Sequence, residues 1–389
     1  MKKLIKSLAH IAIITATATF GTQTVLAAEP AQKQVTLTDV AGHDVTVNVP
    51  VKYMILGEGR FLPSIGILDP ENPVRWIAGM MGEFKRLDPA SYAQYQAKFP
   101  AIDDIALIGS SGEESFNLEK AISLHPDVAV FGITGGHGPS AENKQIFDTL
   151  AAANIPVVAI DFRQDPLVNA PKSVRILGTL MGKEDQAEKF LEFYDQGLAT
   201  VHDRLATTTE RPGVFMESRV GLAQECCEAM GQQMMGRFID WAGGKNVFGD
   251  IIPGTHGTVT IEQLLVTQPD YYIATAIGAA NVKDNGNRVI LGAMATPDDA
   301  AKSLQHITGR TGMAQLSAIQ NDHLFSIWHH FYNTPMNVAA VQQMAKWFHP
   351  DLFADLDPNQ TLQTYFDQFQ AVDLNGVYWT DTKAGTTPQ

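Results

Sequence analysis

The sequence predicts an α/β chain of two Rossmann-like lobes, each built on a parallel sheet, joined by a single long backbone helix. Three observations carry this. Apolar runs of strand length alternate with helical patterns, the signature of parallel sheets covered on both faces. The alternation stops between about 169 and 207 and then restarts. One phrase also occurs twice, as FNLEKAISLHPDVAVFGITGG at 116–136 and VTIEQLLVTQPDYYIATAIG at 259–278. In each copy an apolar residue precedes a glutamate (Glu119, Glu262), and Pro-Asp follows seven residues later.

The N-terminus carries Lys2, Lys3 and Lys6, then the apolar stretch LAHIAIITATATF and a small-residue site ending near Ala27. This is the pattern of a cleavable signal peptide, so residues 1–27 are expected to direct export to a periplasm. No cysteine follows the cleavage site to take a lipid. The formal charge is −14, and loss of the three lysines takes it to −17. So acidic a chain is a poor partner for nucleic acid or an anionic membrane surface. A local cluster of arginines can still bind a small anion.

Residues 35–49, VTLTDVAGHDVTVNV, alternate on both sides of Ala41-Gly42-His43 and predict a β-hairpin. YMILG (53–57), PVRWIAG (73–79), IALIG (105–109), VAVFG (128–132) and PVVAID (156–161) predict buried strands, with ENKQIFDTLAAAN (142–154) helical among them. From Asn169, an expected cap, through Pro171 to Leu205, apolar residues including Ala187, Phe190, Leu191, Tyr194, Leu198 and Val201 keep helical spacing. Such a rod is about 50 Å long, with Gly182 expected to bend or interrupt it. Strands are then predicted at 211–217, 271–275 and 323–328, with helices at 230–244, 260–268 and through the C-terminal region. The expected layout is a signal peptide at 1–27, a first lobe at 28–168, a bridging helix at 169–210 and a second lobe at 211–389. Thr260 with Gln263 reads as a capping box, and Asn117 as a cap for the first copy of the phrase.

In open parallel sheets, ligands bind beyond the carboxyl ends of the strands, and the loops at those ends can converge on one ligand if the two lobes face each other. Glu58-Gly59-Arg60-Phe61, Ser110-Ser111-Gly112, Gly135-Gly136-His137, Phe162-Arg163, Glu217-Ser218-Arg219 and His329-His330-Phe331-Tyr332 all follow predicted strands. Arg60, Arg163 and Arg219 each stand just past a strand end, where the guanidinium fork suits carboxylate or other oxyanion groups. Each can alternatively be a structural salt-bridge residue. Arg60, Phe61, Ser110, His137, Arg163, Arg219, His330 and Tyr332 are the candidate ligand contacts. On an extended strand His329 and His330 would point to opposite faces and not chelate one ion together.

Cys226 and Cys227 are adjacent. The Cα separation across a trans peptide, about 3.8 Å, is below the usual disulfide range, which favours two reduced, partly buried thiols. A strained disulfide, or soft-metal ligation with Met230, Met234 and Met235, are the alternatives. No GxSxG, P-loop, HExxH or CxxC pattern is present, so neither a catalytic residue nor a cofactor is expected.

With these residues in hand, the chain resembles the periplasmic substrate-binding proteins of ABC importers for iron–siderophore complexes, haem and cobalamin. TLTDVAGHDVTV, NLEKAISLHPDVAVFG, LGTLMGKEDQAEKFLEFYDQGL, WAGGKNVFGD and TIEQLLVTQPDYYIA carry the resemblance, in that order, across the mature chain. It implies a monomer that is not an enzyme and that passes a small-molecule iron chelate, a ferric siderophore first among the options, to ABC importer permease subunits. It also implies that Glu119 and Glu262, one per lobe, meet arginines on the permease. Haem held by His137, His330 or Tyr332, cobalamin, a transition-metal ion, and a two-lobed enzyme using Glu58 or Glu217 are the alternatives. The long polar stretch 276–300 departs from the family pattern.

Overall fold

The structure is a computed structural model that describes residues 32–223 and 226–382. The expected signal peptide lies outside the described residues. Strands β1 (Lys33–Thr38) and β2 (Asp44–Val49) form the predicted antiparallel hairpin, with Val35 opposite Val47. Asp39 ties its turn to the first lobe by accepting from the backbone N–H groups of His43 (2.8 Å) and Ala159 (2.9 Å).

The first sheet contains β3 (Met54–Leu56), β4 (Ile77–Met81), β5 (Ala106–Gly109), β6 (Val128–Gly132) and β7 (Val157–Ile160), in the order β5-β4-β3-β6-β7. All neighbouring pairs are parallel. Helices α1 (Leu62–Leu68), α2 (Glu83–Leu87), α3 (Pro89–Lys98), α4 (Leu118–Ser123) and α5 (Lys144–Ala152) lie between the strands. The run at 73–79 becomes a strand only from Ile77, because Pro73–Trp76 forms a 3-10 turn.

The connector is helical and broken at Gly182, where an interruption was expected. Helix α6 (Pro166–Met181) ends there with φ +63°, and α7 (Glu184–Leu205) follows. Only glycine adopts that left-handed cap without a Cβ penalty. Arg175 Nε and Glu188 Oε1, 2.8 Å apart, close the corner between the two helices. α6 starts at Pro166 rather than at Asn169, whose amide instead donates to Asp161 (2.8 Å). The 22 residues of α7 span about 33 Å. Its buried face is the predicted set: Phe190 packs on Tyr365 and Phe369, and the Tyr194 hydroxyl donates to Asn337 (2.8 Å).

The second lobe runs β8 (Gly213–Glu217), β9 (Glu228–Met230), α8 (Gly236–Trp241), β10 (Lys245–Asn246), β11 (His256–Thr258), α9 (Ile261–Thr267), β12 (Tyr271–Ala276) and β13 (Gly292–Ala293). It continues with α10 (Pro297–Gln305), α11 (Ser317–Gln320), β14 (Leu324–Trp328), α12 (Asn337–Phe348), α13 (Pro358–Phe369), β15 (Gly376–Val377) and β16 (Trp379–Asp381). Strands β10, β8, β12 and β14 form the expected parallel core. The edges are antiparallel: β9 on β8, β11 on β9 and β16 on β14. Loop 218–227 is too short for the crossover that a parallel neighbour needs, so β9 folds straight back. The helix expected from 230 starts at Gly236, since Met230 belongs to β9, and the stretch 276–300 already enters α10 through a Thr296–Asp299 capping box.

The repeated phrase builds the same unit in each lobe. Asn117 caps α4 through the Lys120 N–H, and Thr260 with Gln263 completes the capping box of α9. His125 (φ +48°) and Gln268 (φ +46°) turn the chain in the left-handed region just before each proline. The following aspartate then clamps the start of the central strand. Asp127 accepts from the N–H groups of Lys52 (2.6 Å) and Tyr53 (2.9 Å) ahead of β3, and Asp270 from that of Gly213 (2.7 Å) in β8.

Candidate functional site

The loops beyond the carboxyl ends of both sheets enclose a cleft of about 760 Å³. From the first lobe come Arg60, after β3; Arg86, at the end of α2; His137, after β6; and Arg163, after β7. From the second come Arg219, after β8; His256, in β11; Arg288, after β12; and His329, His330 and Tyr332, after β14. Among the described residues Glu142 is the one carboxylate in the lining. An acidic chain thus gathers five arginines into one groove, three of them (Arg60, Arg163 and Arg219) paired with carboxylates outside the lining.

Arg60 sits at the floor, 3 % exposed, and joins the lobes. Its Nη1 donates to the Tyr332 hydroxyl (2.9 Å) and to His330 Nδ1 (3.0 Å). His330 Nε2 lies 3.1 Å from the Leu87 carbonyl, which can only accept, so Nε2 carries the proton and Nδ1 is the acceptor for Arg60. Behind Arg60 stand two buried carboxylates. Glu58 takes Arg163 Nη2 at 2.6 and 2.7 Å and Arg60 Nη2 at 3.4 Å, and Glu83 takes the Arg60 backbone N–H at 3.0 Å. Both guanidinium groups lie within 6 Å of the Tyr332 ring, at 5.8 and 5.7 Å, inside cation–π range. Arg163 also needs Gly136, since a Cβ there would collide with its Nη1.

Burial works against the charge on Arg60, but Tyr332, Glu58 and Glu83 offset it, and its pKa lies above the ordinary arginine value. Burial pushes Glu83 up to about 7, against the pull of Arg60, and Asp88 up to about 6. Three of the cleft imidazoles, His137, His329 and His330, are held neutral. Burial and then Arg60 push His137 down to about 2 and His330 down to about 3, and burial puts His329 well below the ordinary histidine range.

Arg219 is held differently. Its backbone is in the left-handed region (φ +49°), with its N–H donating to Thr275 Oγ1 at 2.7 Å. Its guanidinium takes Glu228 at 2.6 and 3.1 Å and reaches His256 at 3.4 Å. A non-glycine residue held there by surrounding bonds stores strain of about 1–3 kcal/mol, a cost that clusters at functional sites.

Six of the eight predicted contacts thus line one cleft: Arg60, His137, Arg163, Arg219, His330 and Tyr332. Two do not. Phe61 is 2 % exposed and packs on Phe162 beneath the floor, because the chain turns into a 3-10 segment at Gly59–Phe61 and directs the ring inward. Ser110 is exposed outside the cleft, and its neighbour Ser111 is the residue that approaches His137, at 3.5 Å. His329 and His330 both reach the cleft because β14 stops at Trp328 and a 3-10 turn, His329–Asn333, replaces the expected extended strand. Arg86, Arg288 and His256 were missed. Arg86 follows β4 through α2, so strand-end logic applied to a correctly bounded β4 would have found it.

Cys226 and Cys227 are joined as a disulfide, not the expected reduced pair, across a cis peptide that brings their Cα atoms to 3.1 Å. Glu217 lies beside the sulfurs, but its carboxylate takes a two-pronged bond from Arg310 (2.7 and 2.8 Å) and the Tyr272 hydroxyl. The three do not form an available metal site. Glu58 is likewise neutralised by two arginines, so neither glutamate is a free general base. Glu119 and Glu262 are exposed in the first turns of α4 and α9. Backbone N–H bonding at the helix start, with Thr260, lowers the pKa of Glu262.

Residues 88–328 match the model of a family described as periplasmic binding protein. Among solved structures, the TroA-like periplasmic binding protein FepB from Veillonella parvula is 25% identical, with a TM-score of 0.79 over 89% of this chain and 99% of that one. The molybdate periplasmic binding protein MolA of Haemophilus influenzae is 17% identical (TM-score 0.66; 88% and 99% covered). The periplasmic heme-binding protein RhuT from Roseiflexus is 15% identical (TM-score 0.53; 77% and 99% covered). The last two likenesses show the fold. No curated protein sequence matches the chain.

Proposed function

Because the chain belongs to the periplasmic binding protein family, whose members are solute carriers for ABC importers and not enzymes, we propose that it captures an anionic ferric siderophore and delivers it to such an importer. One observation carries the ligand class: Arg60, Arg86, Arg163, Arg219 and Arg288, distant in sequence, converge on one cleft. Its volume, about 760 Å³, suits an organic chelate better than a bare oxyanion. The family places the protein in the periplasm, and no helix among the described residues is long and apolar enough to cross a membrane. A haem reading draws on the neutral imidazoles. Of its three candidate ligands, His330 has both ring nitrogens engaged and Tyr332 accepts from Arg60, which leaves His137.

Trp328 packs edge-on against His330 at 5.2 Å and reports on the floor of the cleft. Titration of the purified protein with ferric siderophores, haem, cobalamin and free metal ions, followed by tryptophan fluorescence, is expected to saturate with a ferric siderophore. Saturation by haem with a Soret band, and silence toward siderophores, overturns the reading. For delivery, Glu119 and Glu262 are the proposed contacts with permease arginines, since exposed anions, one per lobe, would steer a basic surface. Glu119→Arg with Glu262→Arg should leave ligand affinity unchanged and abolish uptake by cells that make the importer. Normal uptake counts against it.

A further inference from the structure

Both walls of the cleft carry arginines and imidazoles, but they differ in apolar surface. Leu222 and Val282, from the loops after β8 and β12, are 49% and 37% exposed, and both line the second-lobe wall. The half-buried Ile277 and the buried Met234 also reach the cleft from the second lobe. The first lobe contributes Leu87 and Pro89 to the lining beside its guanidinium groups, imidazole and glycines.

The loop that carries Val282 is preorganised. The Asn285 side chain accepts from the Ala279 N–H (2.9 Å) and donates to the carbonyls of Ala279 and Val282 (3.0 Å each), which fixes the turn that carries Val282. Asn281 donates to the Pro89 carbonyl (3.1 Å), and Ala279 and Ala293 pack with Ala90, so this loop is braced against the opposite lobe. Met234 is held at φ +53°, a second strained non-glycine residue on the wall that holds Arg219. Apolar side chains kept exposed on a braced frame inside a cleft are a recognition surface, since scattered solvent exposure needs no such frame.

We infer that Leu222 and Val282, with Ile277 beside them in the lining, form an apolar ledge that determines specificity, and that the ligand presents an aromatic or aliphatic face beside its anionic groups. This rests on the reading of the cleft as the solute site. It separates the ligand from wholly hydrophilic anions of the same charge.

The test uses the full chain and its Leu222→Ser, Val282→Ser double variant, whose fold is checked by thermal melt because both residues are exposed. The probes are ferric citrate, an anionic chelate without apolar surface, and the ferric tris-catecholate of 2,3-dihydroxybenzoate, an anionic chelate with aromatic faces. The wild-type chain is expected to prefer the aromatic chelate by about tenfold or more, and the double variant to lose about tenfold for it while citrate binding changes little. Equal affinities in the wild type, or an aromatic preference that survives the double substitution, overturn the ledge. If neither chelate binds, the iron reading falls, and 8-anilinonaphthalene-1-sulfonate decides the ledge separately. Weakening of that binding by about tenfold in the double variant supports the ledge, and unchanged binding overturns it.

Discussion

Each lobe ends its central strand in the same three-residue pattern, Glu58-Gly59-Arg60 after β3 and Glu217-Ser218-Arg219 at the end of β8. Each of those strands also starts under an aspartate clamp, Asp127 or Asp270. The outcomes diverge. Glu58 folds back on its own arginine and takes Arg163 as well, so Arg60 becomes a buried post between the lobes. Glu217 faces away to Arg310 and Tyr272, and Arg219 passes to Glu228 with a third of its side chain exposed. A local pattern fixes where a residue stands relative to the sheet. A partner supplied from distant sequence fixes whether its charge is available.

The comparison breaks or holds first at the two glutamates. Glu58→Gln leaves two largely buried guanidinium groups without their shared anion, and removal of one partner from a buried pair costs about 3–5 kcal/mol. Glu217→Gln strands Arg310, whose side chain is 23% exposed and can recover water, so its loss should be smaller. Chemical denaturation of both variants measures the difference. Equal losses would mean that the first-lobe pairing has no special role.

How much of this was legible beforehand follows the same division. The hairpin, the parallel strands, the break at Gly182 and the duplicated Pro-Asp unit follow from local periodicity and turn chemistry, and they stand close to where periodicity put them, the largest shift being that of the 73–79 run, a strand only from Ile77. The aspartate clamp was visible only as a repeated residue, because its partners, Lys52, Tyr53 and Gly213, lie 57 to 75 residues away. Arg60, Arg163 and Arg219 were found because strand ends can be located from sequence. Arg288 was not, since it stands in an irregular stretch whose path over Pro89 is set by packing between lobes. Phe61 was misplaced by one turn of 3-10 helix, a shift that apolar patterning does not register.

Acid sharpens the contrast, because the groups around the floor answer it with opposite signs. His330 and His329, on the second lobe, and His137 on the first stay neutral in the folded chain far below pH 6.5, at which a histidine in the unfolded chain takes a proton. Each therefore removes stability as pH falls below about 6.5. Glu83 and Asp88, behind Arg60, take up protons at about 7 and about 6 when folded, but near 4 when unfolded, so each adds stability as pH falls through that window. Between about pH 6 and 4.5 three histidines oppose two carboxylates, and the net slope is shallow and destabilising toward acid. Glu83→Gln keeps the acceptor for the Arg60 N–H but deletes one stabilising proton uptake. The loss of unfolding free energy on acidification should then steepen by about 1.4 kcal/mol per pH unit, and His330→Asn should flatten it by a similar amount. Denaturant titrations across pH 6 to 4.5 give these slopes directly. If Glu83→Gln matches the parent slope, Glu83 is ionised in the folded chain, and burial behind Arg60 does not set its charge.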